Sequence, residues 1–185
     1  MDWEEFRKRV LERYRSSEID TWIKTITDTI NFSEDFVTLS SCSGRIAVMD
    51  MPEYGDKRNS VFLGKWHHDV EPDDVLDAIG RGRMKTWFIM NPPIIHVACR
   101  NRDLAFSLLK IMNESGFRRS GMISARRNVV EISSSERVEF LAAKNGTVIA
   151  DRRVVEENLI EALKKLEKSR RRMLMLAEKF KEAFL

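Results

Sequence analysis

The chain has 185 residues, 43% of them hydrophobic and 33% charged, which is ample for a packed core and excludes a disordered or fibrous polypeptide. No apolar run approaches the ~20 residues of a membrane span, and Met1-Asp2-Trp3-Glu4-Glu5 carries no basic-then-apolar leader, so a cytoplasmic protein is expected. The formal net charge of +3 conceals a division: residues 1–80 hold 10 basic and 17 acidic side chains, residues 81–185 hold 22 and 12. A basic second half fits a polyanion-binding face, and it equally fits two halves that neutralise each other on packing.

Residues 2–15 and 18–31 read as helices, the first with Trp3, Phe6, Val10 and Leu11 at helical spacing, the second with Ile19, Trp22, Ile23, Ile26 and Ile30. Short strands follow over 36–41, 45–50 and 60–66, with a polar loop over 52–59. Between the first two strands stands Ser40-Ser41-Cys42-Ser43-Gly44-Arg45. Small side chains, a glycine able to take φ > 0 and a planar donor fork suit an anionic or polar ligand, and they also suit an ordinary hairpin turn. Gly64-Lys65-Trp66-His67-His68-Asp69 then gathers two of the three histidines at a strand end. Residues 72–80 form a helix with Pro72 near its start.

Thr86 to Ala98 alternates like a strand and contains the third histidine, His96, and Pro92-Pro93 must sit at an edge, bend or bulge. Residues 102–115 make an amphipathic helix stopped by Gly116. Strands over 118–125, 129–133, 137–142 and 147–149 read as an antiparallel series. The last helix, 154–184, carries the basic run Lys164 to Arg172, either a solvated face or a nucleic-acid stripe. Val37 to Arg45 is weakly echoed by Val130 to Arg137, each reading strand, serine turn, arginine. Two cysteines, Cys42 and Cys99, without CxxC or HExxH spacing give no metal motif, and no metal is expected.

The fold class expected is α+β: a largely antiparallel or mixed sheet with packed helices and a long basic C-terminal helix, outside the Rossmann plan, because no strand leads into a GxGxxG turn. A single domain over 1–185 is expected, with a helical segment over 1–33, a sheet core over 34–150 and a C-terminal helix over 151–185.

The serine motif at 40–46, His96-Val97 with Cys99-Arg100, Ser115-Gly116-Phe117-Arg118-Arg119-Ser120-Gly121, and the strand pair with Ser134 and Arg137 occur in the order found in one family. Over residues 3–180 the chain resembles the tRNA wybutosine-synthesising protein 3 family. It departs where many members carry Lys-Phe-Glu-Pro; here Ile89-Met90-Asn91-Pro92 stands. The resemblance implies transfer of a methyl group from S-adenosyl-L-methionine to a ring nitrogen of the wyosine-type tricyclic base beside the anticodon of tRNA(Phe). The alternative is a non-catalytic RNA-binding module that uses the basic second half and no cofactor.

Under that reading His67 is the first candidate base and His96 the second, since an imidazole titrates near neutrality. Ser41, Ser43, Gly44, Arg45, Lys65 and Ser120 are expected to hold the cofactor, with Arg45 facing its carboxylate or a substrate phosphate. Trp66 is a candidate for stacking on the base, or a core filler. Arg119, Arg126, Arg127, Lys165, Lys168 and Arg171 are expected to meet the RNA backbone.

Overall fold

The computed structural model describes residues 2–185. Most helices start where a short polar side chain satisfies free peptide N–H groups, and the third starts on a proline that has none. Asp2 caps α1 (Trp3–Arg15) by accepting from the Glu5 N–H at 2.8 Å, and Asp20 caps α2 (Thr21–Phe32) through the Trp22 N–H at 3.0 Å. Pro72 opens α3 (Pro72–Gly80), and Asn101 caps α4 (Arg102–Glu114) through the Leu104 N–H at 2.9 Å. Gly116, at φ +87°, reverses the chain after α4, and the Phe117 N–H bonds back to the Met112 carbonyl.

Among the described residues nine strands form two sheets, and every pairing is antiparallel. The four-stranded sheet runs in the order β1 (Phe36–Cys42), β5 (Ile94–Cys99), β7 (Val129–Ser133), β6 (Gly121–Ser124). The five-stranded sheet runs β3 (Val61–Trp66), β2 (Arg45–Met51), β4 (Lys85–Asn91), β8 (Val138–Lys144), β9 (Thr147–Val148). The final helix, α5 (Arg152–Phe184), has 33 residues. The α+β class, the antiparallel pairing and the long last helix are as the sequence predicts.

The strands of the segment 34–150 form two sheets, and the chain divides into two compact units. One unit takes the chain up to Ser43, Pro93–Ser135 and Lys168–Leu185; the other takes Gly44–Pro92 and Glu136–Glu167. The run Thr86 to Ala98 is likewise two strands, because Pro92 and Pro93 lack the N–H groups a ladder needs and β4 and β5 join different sheets. The expected strand over 118–125 is shorter as well: the Ser120 N–H bonds to the Phe117 carbonyl in a turn, and pairing starts at Gly121.

In the first unit both faces of the sheet are covered. Ile26 and Ile30 of α2, Leu108 and Met112 of α4 and Phe180 of α5 bury one face with Phe36, Val97 and Ile132. Val10 of α1 covers the other through Val37, Ala98 and Val129. In the second unit α3 and the start of α5 cover one face, where Val75, Ile79, Val155 and Leu159 meet Ile46, Val48, Phe88 and Met90. Buried Asp50 pins the end of that sheet, accepting from the Arg83 and Met84 N–H groups at 2.8 and 3.0 Å and from the Thr86 hydroxyl at 2.9 Å. The opposite face carries the side chains that alternate with this core, and neither helix of the unit packs there.

Candidate active site

The serine turn joins β1 to β2, and the first unit clamps its start. Ser43 is 1% exposed; its hydroxyl donates to Asp20 Oδ2 at 2.5 Å, so the carboxylate that caps α2 also holds the turn. The Ser43 carbonyl accepts from Arg170 Nε at 3.0 Å, and the Arg170 guanidinium lies 5.4 Å from the centre of the Trp22 ring. Gly44 follows at φ +82°, a conformation that side-chain-bearing residues rarely adopt. Neither Asp20 nor Arg170 was expected at this turn. Arg170 belongs to the basic run of α5, yet it is only 8% exposed and serves the turn.

His96 lies in a hydrogen-bonded row across the four-stranded sheet. The register aligns Ser40, His96, Glu131 and Gly121 on successive strands. A one-residue bulge between Thr38 and Ser40 brings Ser40 opposite His96. Ser40 Oγ is 2.8 Å from His96 Nδ1, and His96 Nε2 is 2.9 Å from Glu131 Oε2. A carboxylate only accepts, so Nε2 carries the hydrogen toward Glu131 and Nδ1 accepts from the Ser40 hydroxyl. The row is therefore a hydroxyl, an imidazole and a carboxylate in series, able to receive a proton at Ser40 and balance the resulting imidazolium at Glu131. Glu131 was absent from the expectations, although its place between inward Val130 and Ile132 marks it as facing the other side.

In the second unit Arg45 and Lys65 come together. The Arg45 guanidinium lies 5.4 Å and Lys65 Nζ 5.8 Å from the centre of the Phe62 ring. His67 follows Trp66, the last partner of Ile46 in the β2–β3 ladder, so it stands at the same ladder end as Arg45. Trp66 takes a packing role: it joins the core of its unit, and its indole lies where a Cβ on Gly64 would be, 2.0 Å from the nearest ring atom. The structure thus links His96 to Ser40 and Glu131 in one unit, and groups Arg45, Lys65 and His67 in the other.

The remaining candidates are dispersed. Ser120 Oγ accepts from the Ser133 N–H at 3.3 Å, stitching β7 to the turn before β6. Arg119 and Arg126 are exposed, and Arg127 lies 4.5 Å from the centre of the Phe6 ring. Lys165 is half-buried with its Nζ 3.5 Å from the Arg137 carbonyl; Lys168 and Arg171 lie on the exposed side of α5. Burial pushes the Cys99 thiol up to about 12, which makes it a packing group rather than a nucleophile. Among the described residues no three His, Cys, Asp or Glu side chains cluster as a metal site would require, and no helix is long and apolar enough to cross a membrane.

Comparison with known proteins places this arrangement. The family model described as Methyltransferase TYW3 matches residues 3–182. A protein of Archaeoglobus fulgidus named tRNA(Phe) 7-((3-amino-3-carboxypropyl)-4-demethylwyosine(37)-N(4))-methyltransferase is 50% identical over 155 residues, covering 82% of this chain and 79% of its own. A Thermococcus kodakarensis protein with that name, numbered 1, is 37% identical, covering 84% and 82%. A solved structure from Pyrococcus horikoshii superposes with a TM-score of 0.90 at 30% identity, covering 100% of this chain and 98% of its own, and one from Aeropyrum pernix with 0.79 at 26%, covering 89% and 98%. With the fold shared end to end and the sequence match spanning both units, the chain belongs to the TYW3 methyltransferase family.

Proposed function

We propose that the chain methylates N4 of the 4-demethylwyosine-type base at position 37 of tRNA(Phe), with S-adenosylmethionine as methyl donor and His96 as proton acceptor. The carrying observation is the hydrogen-bonded series Ser40–His96–Glu131 in a chain that is 50% identical over 155 residues to a relative named for that reaction. When bound, S-adenosylmethionine supplies an electrophilic methyl group. The small side chains of the serine turn and the Ser41 hydroxyl suit its carboxylate.

As the N–CH3 bond forms, N4 must shed its hydrogen. Ser40 Oγ takes that proton while its own passes to His96 Nδ1, and the Glu131 carboxylate stabilises the imidazolium through Nε2–H. His67 is the second candidate; the geometry favours His96, whose two ring nitrogens both have the partners a relay needs. Asp20 and Arg170 act as positioning residues, holding Ser43 and through it the turn. A tRNA substrate places the activity in the cytoplasm.

The test is mass spectrometry of tRNA(Phe) bearing the demethylated tricycle, incubated with the purified chain and S-adenosylmethionine. A nucleoside heavier by one CH2 supports the proposal. An unchanged nucleoside, together with silence in a calorimetric titration of the donor, returns the chain to the RNA-binding alternative.

A further inference from the structure

The face of the five-stranded sheet opposite its core is ordered in rows. Phe62, Met49, Trp87 and Leu141 align across β3, β2, β4 and β8, and Lys65, Ala47, Ile89 and Glu139 form the next row. Arg45, opposite Asn91, continues the face toward the serine turn. Phe62 is 47% exposed on an edge strand, and it has a guanidinium and an ammonium beside its ring. Tyr54 stacks edge-on against Trp87 at 4.7 Å and closes the far end.

Charge on this face is unbalanced in one direction: Glu139, its acid in the Lys65 row, is paired with Arg137 at 2.7 Å and accepts from the Tyr54 hydroxyl. A half-exposed ring with two cations at it describes a surface for a ligand carrying a flat base and an anionic group: a single-stranded nucleotide with its phosphate.

We propose that this face receives the single-stranded loop of the substrate tRNA, with one nucleobase stacked on Phe62 and its flanking phosphates held by Arg45 and Lys65. This rests on the tRNA methyltransferase reading and deepens it: the RNA is gripped by an aromatic plate on the second unit as well as by the basic residues of α5. Stacking is indifferent to base identity, so the site supplies affinity and register and leaves recognition of the modified base to other groups.

The test measures binding of a dye-labelled RNA hairpin carrying the tRNA(Phe) anticodon loop to the full chain, by fluorescence anisotropy over a salt series. Phe62→Ala weakens binding between about 5- and 150-fold, while Phe62→Trp restores it. Lys65→Met lowers the slope of log affinity against log salt by about 0.7, the value for one phosphate of a single strand. Donor affinity, read by calorimetry with S-adenosylmethionine, stays unchanged in Phe62→Ala. Wild-type RNA affinity in both variants overturns the inference, as does loss of donor affinity in Phe62→Ala with RNA binding intact, which would make the ring a plate for the donor's adenine. If the wild-type chain binds the hairpin through Phe62 but methylates nothing, the catalytic reading fails and this surface stands; if it methylates tRNA(Phe) and Phe62→Ala binds normally, the reverse holds.

Discussion

On the four-stranded sheet Ser40, His96 and Glu131 close their hydrogen bonds on one another, whereas on the five-stranded sheet the Phe62 ring is half exposed with Arg45 and Lys65 at it. A closed series holds its geometry before any ligand arrives, as proton transfer requires. An exposed ring with two cations at it gains a stacking partner only when an anionic, base-carrying molecule lands on it. One chain thus builds two kinds of polar surface on two sheets, and the two proposals give chemistry to one and grip to the other.

Substitutions can break each side of that contrast. The largest effect on stability is expected at Asp50, whose carboxylate satisfies two peptide N–H groups and a hydroxyl in the second unit. Asp50→Ala leaves those donors without an acceptor and lowers unfolding stability by about 3 kcal/mol in urea titration. The exposed ring of Phe62 loses its framework with it, so RNA affinity falls too. An unchanged urea midpoint would mean that water replaces the carboxylate and that the Phe62 surface does not depend on it.

Asp20 comes next. Asp20→Ala removes both the cap of α2 and the partner of Ser43, costing about 1–2 kcal/mol. Asp20→Ser keeps the cap but is too short to reach Ser43, so it recovers stability without recovering methyl transfer. Equal recovery of both would reduce Asp20 to a helix cap.

The smallest effect is a control on the helices, away from both polar surfaces. Burial first, with the Asp28 carboxylate adding to it, pushes the Tyr14 phenol up to about 12. The folded value lies above the unfolded ~10, so the neutral phenol contributes stability in full below pH ~10 and loses it as pH climbs toward 12. Melting temperatures of the wild type and Tyr14→Phe should converge by no more than about 4 °C over that range. Curves that stay parallel would show that Tyr14 titrates as it does in the unfolded chain.

Much of this was legible in the sequence because it is local. Pro72 and Gly116 mark helix ends by chemistry that acts within a few residues, and the two serine turns of the echo fall where segments of the first unit end, at Ser43 and Ser135. What the sequence did not yield depends on register. Glu131 meets His96 only because β5 and β7 pair in one alignment, and Ser40 joins them only through a bulge. Arg170 was hidden by its neighbours: among so many lysines and arginines it read as part of a solvated or RNA-facing run. Its spacing with Leu166, Met173, Ala177 and Phe180 nevertheless places it on the buried stripe of α5. Phe62 escaped notice as one more apolar residue in a short strand, since the two cations beside it become visible only once β2 and β3 are paired.

The division of labour between the sheets is tested most directly by measuring RNA affinity and single-turnover methyl transfer side by side in His96→Ala and Phe62→Ala. The account predicts a crossed result: His96→Ala binds the anticodon-loop RNA like the wild type but transfers methyl about 10²–10⁴-fold more slowly at saturation, whereas Phe62→Ala binds weakly and recovers a near-normal rate once RNA saturates. A His96→Ala chain that turns over at the wild-type rate, or a Phe62→Ala chain that stays slow at saturation, would contradict it.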